Sequence, residues 1–295
     1  MPVYNGGDYL SDAIKSILNQ SMGDFEFIIL NDGSTDASLN VIRKYAQSDN
    51  RIRLITRENK GLIYTLNEGI KYAQCRFIAR MDQDDISIEN RLELQYKHMI
   101  EHDLDVCGGD YSIIDEQGRD QKSYRLFRNN NDILLCLASN VPFPHPSVML
   151  KKDFLISKGL SYGMNGYRQA EDLDLWLNMF NAGARFGNVD SMIFKYRILS
   201  TSMSRINHKK ILQEADRQFD IFMKDNIDNF EKSFRIFFSK KNHEKELEQV
   251  AVKAAMRWLF LQRDFTVLMK CLKTVNIYNF IFGLLSFFKL KSSNF

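Results

Sequence analysis

Residues 75–85 read Cys75-Arg76-Phe77-Ile78-Ala79-Arg80-Met81-Asp82-Gln83-Asp84-Asp85. The stretch opens with a short apolar run, Phe77-Ile78-Ala79, of the kind that forms a buried strand. It closes with the carboxylates Asp82, Asp84 and Asp85. A strand that leaves the core in such a cluster delivers charge to the C-terminal edge of a sheet, where open α/β sheets bind ligands. Like charges this close are costly unless a cation or hydrogen-bond donors neutralise them. An all-oxygen donor set suits a hard divalent ion, and Mg²⁺ takes one or two carboxylates together with substrate phosphates. Asp82-Gln83-Asp84 is therefore a candidate metal–diphosphate site. A solvated acidic loop capping the helix expected near 88–100 is the alternative, and the motif alone does not separate the two.

The flanking sequence sets this strand in a series. Upstream, Pro2-Val3-Tyr4-Asn5 reads as a strand end entering a Gly6-Gly7 turn, and Tyr9, Leu10, Ala13, Ile14, Ile17 and Leu18 recur at helical spacing. Phe25–Leu30 is a buried strand broken by Asn31-Asp32-Gly33-Ser34-Thr35-Asp36, a run of turn formers and helix caps. A helix follows to about Tyr45, then a strand over 51–56, a turn at Asn59-Lys60-Gly61 and a helix marked by Leu62, Leu66, Ile70 and Ala73. Alternating strands and helices predict an α/β fold with a mostly parallel sheet. Further on, strands are expected over 106–114, 147–150, 184–189 and 192–197. Gly159–Arg168 reads as a polar loop. Ala170-Glu171-Asp172 opens a helix with Leu173, Trp176, Leu177 and Phe180 on its buried face. The helix dipole would hold Asp172 as an anion. It is either a general base facing a cleft or a simple N-cap, and spacing leaves both open.

The chain has 295 residues, 44% hydrophobic and 26% charged, ordinary for a soluble globular protein. Four cysteines without close spacing fit a reducing compartment, and neither a disulfide framework nor a zinc site. The net charge of +3 hides an asymmetry. From Arg205 onward there are 17 Lys/Arg and 10 Asp/Glu, and 13 of the 22 Phe. A boundary is therefore expected between a domain over 1–204 and a helical extension over 205–295.

Five blocks, Pro2–Leu10, Phe25–Asp36, Glu58–Ile70, Phe77–Asp85 and Ala170–Leu177, occur in the order found in glycosyltransferase family 2, and the chain resembles that family over roughly residues 1–200. The resemblance implies a GT-A-like fold, Rossmann-like, with helices flanking the sheet. It also implies an inverting transferase that takes a sugar from a nucleotide-diphosphate sugar, expected to be a UDP-sugar, with Mg²⁺ or Mn²⁺. By the same resemblance Pro2, Tyr4, Asp32, Asn59, Lys60 and Asp82 line the nucleotide-sugar pocket, with Tyr4 against the base and Asp32 accepting from its imide N–H. Asp84 would bind the metal, and Asp172 would deprotonate the acceptor hydroxyl. His145, Glu171 and Trp176 are acceptor-side candidates, although Trp176 reads as core and His145 reads equally as a structural residue. Relatives carry a metal-binding His where this chain has Leu199, with His208 a distant substitute. Family polymerases carry a Gln-x-x-Arg-Trp signature that is missing after Asp172, which favours single addition.

The expected partners are the donor and a saccharide acceptor, lipid-linked and belonging to a bacterial surface polymer, with no nucleic acid. An oligomer is allowed. The alternatives are a soluble or protein acceptor, or a nucleotide-sugar-binding module without turnover. The expected location is cytoplasmic, peripheral at the inner face of the membrane. Residues 275–291 carry that last expectation, as an apolar helix with basic flanks and no acid from Phe265 onward. A protein groove or dimer interface is the other reading of this helix. Finally, relatives precede Pro2-Val3-Tyr4-Asn5 with an apolar strand at the middle of the sheet. The first strand is thus expected to be truncated, with a chain that begins earlier than Met1 or is destabilised.

Overall fold

The computed structural model describes residues 1–199, 202, 207–240 and 242–292. The chain forms two compact units, one of Met1–Leu126 with Phe143–Ser200 and the other of Phe127–Pro142 with Thr201–Phe295. The boundary expected at 204/205 falls outside the described residues.

In the first unit the strands are β1 (Pro2–Val3), β2 (Phe27–Asp32), β3 (Ile52–Arg57), β4 (Phe77–Ala79), β5 (Ile86–Ser87), β6 (Val106–Ile114), β7 (Asp120–Tyr124), β8 (Met149–Lys151) and β9 (Phe186–Arg197). The helices are α1 (Leu10–Leu18), α2 (Ser38–Ser48), α3 (Leu62–Tyr72), α4 (Arg91–Glu101), α6 (Lys152–Ser157) and α7 (Glu171–Asn181), with α5 (Asn130–Cys136) lying in the second unit. Leu10, Ala13, Ile14 and Ile17 of α1 are buried, as their helical spacing requires. β1, β2 and β3 pair in parallel in that order. The second sheet runs β4-β8-β6-β9-β5 with β7 on β6. β6 and β9 are parallel there, while the other pairs are antiparallel. The two strands expected over 184–197 are one strand, β9, whose register against β6 shifts between Gly109 and Tyr111. A bulge of this kind absorbs the polar pair Asp190-Ser191 without ending the pairing.

The two sheets part beside β1, which is two residues long. Its pairing covers Pro2 against Leu30 and Val3 against Asn31. The Met1 amino group donates to the Ile28 carbonyl at 2.8 Å, and burial pushes its pKa down to about 5. Below it a cavity of about 360 Å³ separates β2 from β4, with Ile28, Leu30, Leu66, Ala79, Tyr96 and Leu150 among its walls. The space is half open to solvent, so this seam lacks the close packing of an ordinary core.

A polar spine crosses the core of this unit. Arg91 is fully buried and donates to the Arg80 carbonyl at 2.7 Å and to Gln95 at 2.9 Å. Gln95 in turn donates to the carbonyls of Cys107 and Ser147. Buried donors must be satisfied, so this network fixes the backbone at Arg80 and at the 145–147 turn relative to one another.

The second unit is helical, with α8 (His208–Asp225), α9 (Ile227–Ser239), α10 (Lys245–Gln262), α11 (Thr266–Thr274) and α12 (Ile277–Ser292) joining α5. Its core includes Phe219, Phe222, Phe230, Phe234, Phe237 and Phe287. α5 had no counterpart in the sequence reading, which kept residues 127–142 in the first domain. Asn129 caps it by accepting from the Asp132 N–H at 3.0 Å, and its apolar face packs on α9 and α10. That packing is why the segment groups with the tail. Arg257, fully buried, pairs with Asp216 at 2.7 Å and with Asp220. Lys291 points inward to the same two acids, at 3.0 and 2.9 Å, so it is not the exposed flank that its position suggested.

Candidate active site

The expected site residues fall into two joined groups at strand ends. The first is the edge built from the loops after β1, β2 and β3. Tyr4 is about half exposed, and its backbone exchanges two hydrogen bonds with the side chain of Gln83, at 2.8 and 3.1 Å. Asn5 accepts from the Thr35 N–H at 2.8 Å, and the Gly6 N–H donates to Ser38 at 2.9 Å, so the first two loops are laced together. Asp32 is buried. Its Oδ1 accepts from the Lys60 N–H at 2.8 Å and pairs with Arg57, while Oδ2 accepts from the Gly61 N–H at 3.0 Å. The same acid that the resemblance assigns to the base is thus also the pin that shapes the 59–61 loop. Gly33 permits this loop to come close, because at its φ of +73° a Cβ would lie 2.7 Å from the Asn59 nitrogen. Asn59 and Lys60 are exposed, and the Lys60 ammonium sits 4.6 Å from the Tyr64 ring centroid. Pro2 is a β1 residue, half-buried beside Leu30.

The second group surrounds Arg80. Asp82, Asp84 and Asp85 each bring a carboxylate oxygen within 4.8 Å of the others. Burial and the neighbouring Asp82 charge raise Asp84 to about 6 and hold Asp85 well above the usual carboxylate range. Asp85 accepts from the Arg197 N–H at 2.7 Å, but its Oδ2 is buried with no hydrogen-bond partner. Arg197 also donates through Nε to the Asp84 carbonyl at 2.8 Å and lies over the Tyr9 ring, which anchors the acidic loop to the end of β9. Three mutually repelling carboxylates, one of them with an unmet oxygen, form a donor set that fits a hard divalent cation.

Arg80 was not singled out in the sequence. It is buried, pairs with Asp82, and leaves its Nε without an acceptor. Its charge acts on Asp84, Asp85, His145, Tyr162, Glu171 and Asp172 together, which brings the start of α7 into the same electrostatic neighbourhood as the acidic loop. Glu171 is buried, and burial together with the adjacent Asp172 raises it to about 7. Asp172 is raised by burial, against the pull of the Leu173 N–H, which it accepts at 2.8 Å, and of Arg80. His145 meets the Tyr162 hydroxyl through Nε2 at 2.9 Å; burial and Arg80 hold its pKa well below the usual value, so the imidazole is neutral. Tyr162 is fixed in turn by two hydrogen bonds with Asn67. Asp174, one turn into α7, accepts from Asn165 at 2.8 Å and ties the 159–168 loop to the helix.

Trp176 is not an acceptor contact. It has no exposed surface and packs edge-on against Phe143 and His145, with centroids 5.1 and 6.0 Å away. His208 opens α8 in the second unit, apart from the acidic loop in sequence and in unit. Arg80, Arg57 and Arg197 were the residues that sequence reading missed. The one sequence signal was an Arg two positions before the first carboxylate, and an arginine at a strand end is too common to single out.

Comparison with known proteins bears on this geometry. The profile of "Glycosyl transferase family 2" matches residues 1–159. The O-antigen biosynthesis glycosyltransferase WbnJ of Escherichia coli is 34% identical over 236 residues, covering 78% of this chain and 90% of its own length. The putative glycosyltransferase EpsE of Bacillus subtilis is 31% identical over 237 residues, covering 77% of this chain and 84% of its own length. Among solved structures, residues 1–349 of TarS from S. aureus superpose with a TM-score of 0.59 at 17% identity, covering 99% of this chain and 89% of that one. The same TarS fragment solved with UDP-GlcNAc gives 0.59 at 16%, covering 98% and 79%. The structural likeness carries the GT-A-like α/β fold, as expected from sequence. The profile and the curated relatives carry the family: this chain belongs to glycosyltransferase family 2.

Proposed function

We propose that the chain transfers a sugar, with inversion, from a UDP-sugar to a saccharide acceptor during synthesis of a surface polysaccharide. The observation that carries this reading is the convergence of the Asp82–Asp85 carboxylates, Arg80 and the first turn of α7 on one neighbourhood. A TarS fragment solved with UDP-GlcNAc and a relative named for O-antigen biosynthesis support the donor class and the product class. The acceptor we infer is a lipid-linked saccharide.

Tyr4 and the 59–61 loop would flank the nucleoside, with Asp32 accepting from the base while it keeps that loop in shape. Asp84 would hold Mg²⁺ or Mn²⁺, with Asp82, paired with Arg80, on the ribose and donor-sugar side. When bound, the ion supplies positive charge against the departing diphosphate. Asp172 acts as the base: the Leu173 N–H fixes one carboxylate oxygen, and Arg80 favours the ionised form. It takes the proton of the acceptor hydroxyl, whose oxygen bonds to the anomeric carbon as the bond to the diphosphate breaks on the opposite face. One base is enough, because no covalent intermediate forms. Neutral His145 has one ring nitrogen committed to Tyr162, and its other ring nitrogen would serve the acceptor.

Asp172→Asn keeps the shape and the capping capacity of the residue and removes its basicity. It should retain UDP binding and lose transfer by about 10²- to 10⁴-fold. Release of UDP from a panel of UDP-sugars with Mn²⁺, with and without chelator, measures this and identifies the donor. Near-normal turnover in the variant would return Asp172 to the role of a helix cap.

A further inference from the structure

We propose that the outer face of α11 and α12 docks on an anionic membrane surface. The inference stands on the helical unit alone and does not depend on which sugar or acceptor the first unit uses.

α12 is apolar on two opposite faces. The inner face is committed to protein: Phe280 and Phe287 are buried, and Gly283 lies so close to α10 that a Cβ would sit 2.8 Å from Val252. The outer face keeps Tyr278 at 79%, Leu285 at 65% and Phe282 at 55% exposure. The adjacent α11 adds Met269 and Leu272, and Phe265 at its N-cap, all exposed. Single exposed apolar residues need no explanation, but two neighbouring helices presenting large ones together mark an interaction surface.

Charge selects the occupant. From Phe265 to Lys291 the sequence holds no Asp or Glu, and Lys270, Lys273 and Lys289 are exposed. Lys291 is turned inward to Asp216 and Asp220 and does not contribute. A second copy of this face would set lysine against lysine, and the acid next in sequence, Asp264, is already engaged by the Thr266 N–H and Lys270. A sheet of anionic headgroups over hydrocarbon answers both the lysines and the aromatics. At 1.5 Å per residue α12 is only about 24 Å long. No helix among the described residues is long and apolar enough to cross a membrane. The helix therefore lies in the plane of the interface, apolar side down.

Full-length protein should co-sediment at low salt with vesicles of equal parts phosphatidylglycerol and phosphatidylcholine, and not with phosphatidylcholine alone. Replacing Lys270, Lys273 and Lys289 by Gln should weaken partitioning about fivefold per charge, equivalent to about 1 kcal/mol each. Phe282→Ser with Leu285→Ser should weaken it by on the order of tenfold or more. Both variants change outward-facing residues, and an unchanged melting temperature would show that the unit remains folded. The proposal is overturned if the wild type stays in the supernatant with both vesicle types, or if the Lys variant sediments as well as the wild type. It is also overturned if light scattering finds a dimer that the Phe282/Leu285 variant dissolves, which would make a second copy the occupant.

Discussion

Each unit buries a cluster of acids, and the two clusters are balanced differently. In the helical unit, Asp216 and Asp220 meet Arg257 and Lys291, two carboxylates against two cations in direct contact. Burial pushes Asp216 up, but Arg257 and Lys291 more than offset it, and its pKa ends below the usual value. In the sheet unit, Asp82, Asp84 and Asp85 share the field of Arg80 with Glu171 and Asp172, and Arg80 pairs directly with Asp82. Here the shifts of Asp84, Asp85 and Glu171 run upward. Acids that hold a protein together are neutralised within it. Acids that are left in excess await a proton or a cation from outside.

In the balanced cluster a lost charge should cost stability most. Arg257→Ala would leave Asp216 buried without its main partner and should destabilise the protein by about 3–5 kcal/mol, read from the denaturant midpoint. Adding Asp216→Asn should recover part of that loss; no recovery would mean that the arginine acts through packing. In the unbalanced cluster, removing an acid should cost ligand binding instead. Asp84→Ala is expected to weaken Mn²⁺-dependent UDP binding by on the order of 100-fold with little change in melting temperature. Calorimetry showing unchanged affinity would sink the metal assignment.

Glu171 gives a smaller effect with a definite sign. Its folded pKa of about 7 lies above the usual value of 4.5, so the folded protein binds more protons between those two pH values and loses stability as pH rises through that window. Glu171→Gln should therefore match the wild type near pH 4.5 and exceed it by about 3 kcal/mol at pH 8. A constant offset across that range would refute the shift. The smallest effect is expected at Lys291. Its charge is partly exposed and Arg257 remains beside both acids, so Lys291→Met should cost about 1 kcal/mol or less.

Local periodicity was enough for much of the fold. The spacing of Leu10, Ala13, Ile14 and Ile17, the apolar run at 27–30 and the breakers at 31–36 each fix an element by its own residues. The carboxylates at 82, 84 and 85 stood out for the same reason, since they are adjacent in sequence. What escaped depends on partners far along the chain. Arg80 looks like any charged residue until the Arg91–Gln95 spine fixes its backbone. Residues 130–136 carried an Asn cap and an apolar run, yet only α9 and α10 reveal where the helix goes. Lys291 reads as a surface charge because nothing nearby in sequence announces Asp216 and Asp220, more than seventy positions away.

The cavity between β2 and β4 makes volume a probe of this fold. Hydrostatic pressure drives water into apolar space, with typical volume changes on unfolding of about −20 to −100 mL/mol, and a half-open cleft gives that water a short path inward. With about 360 Å³ of space walled by Ile28, Leu66 and Ala79, the sheet unit offers compression a point of entry along one seam. Under rising pressure the amides of β2 and β4 should be the first in that unit to exchange with solvent. The tightly laced loops at 33–38 and 59–61 should hold longer.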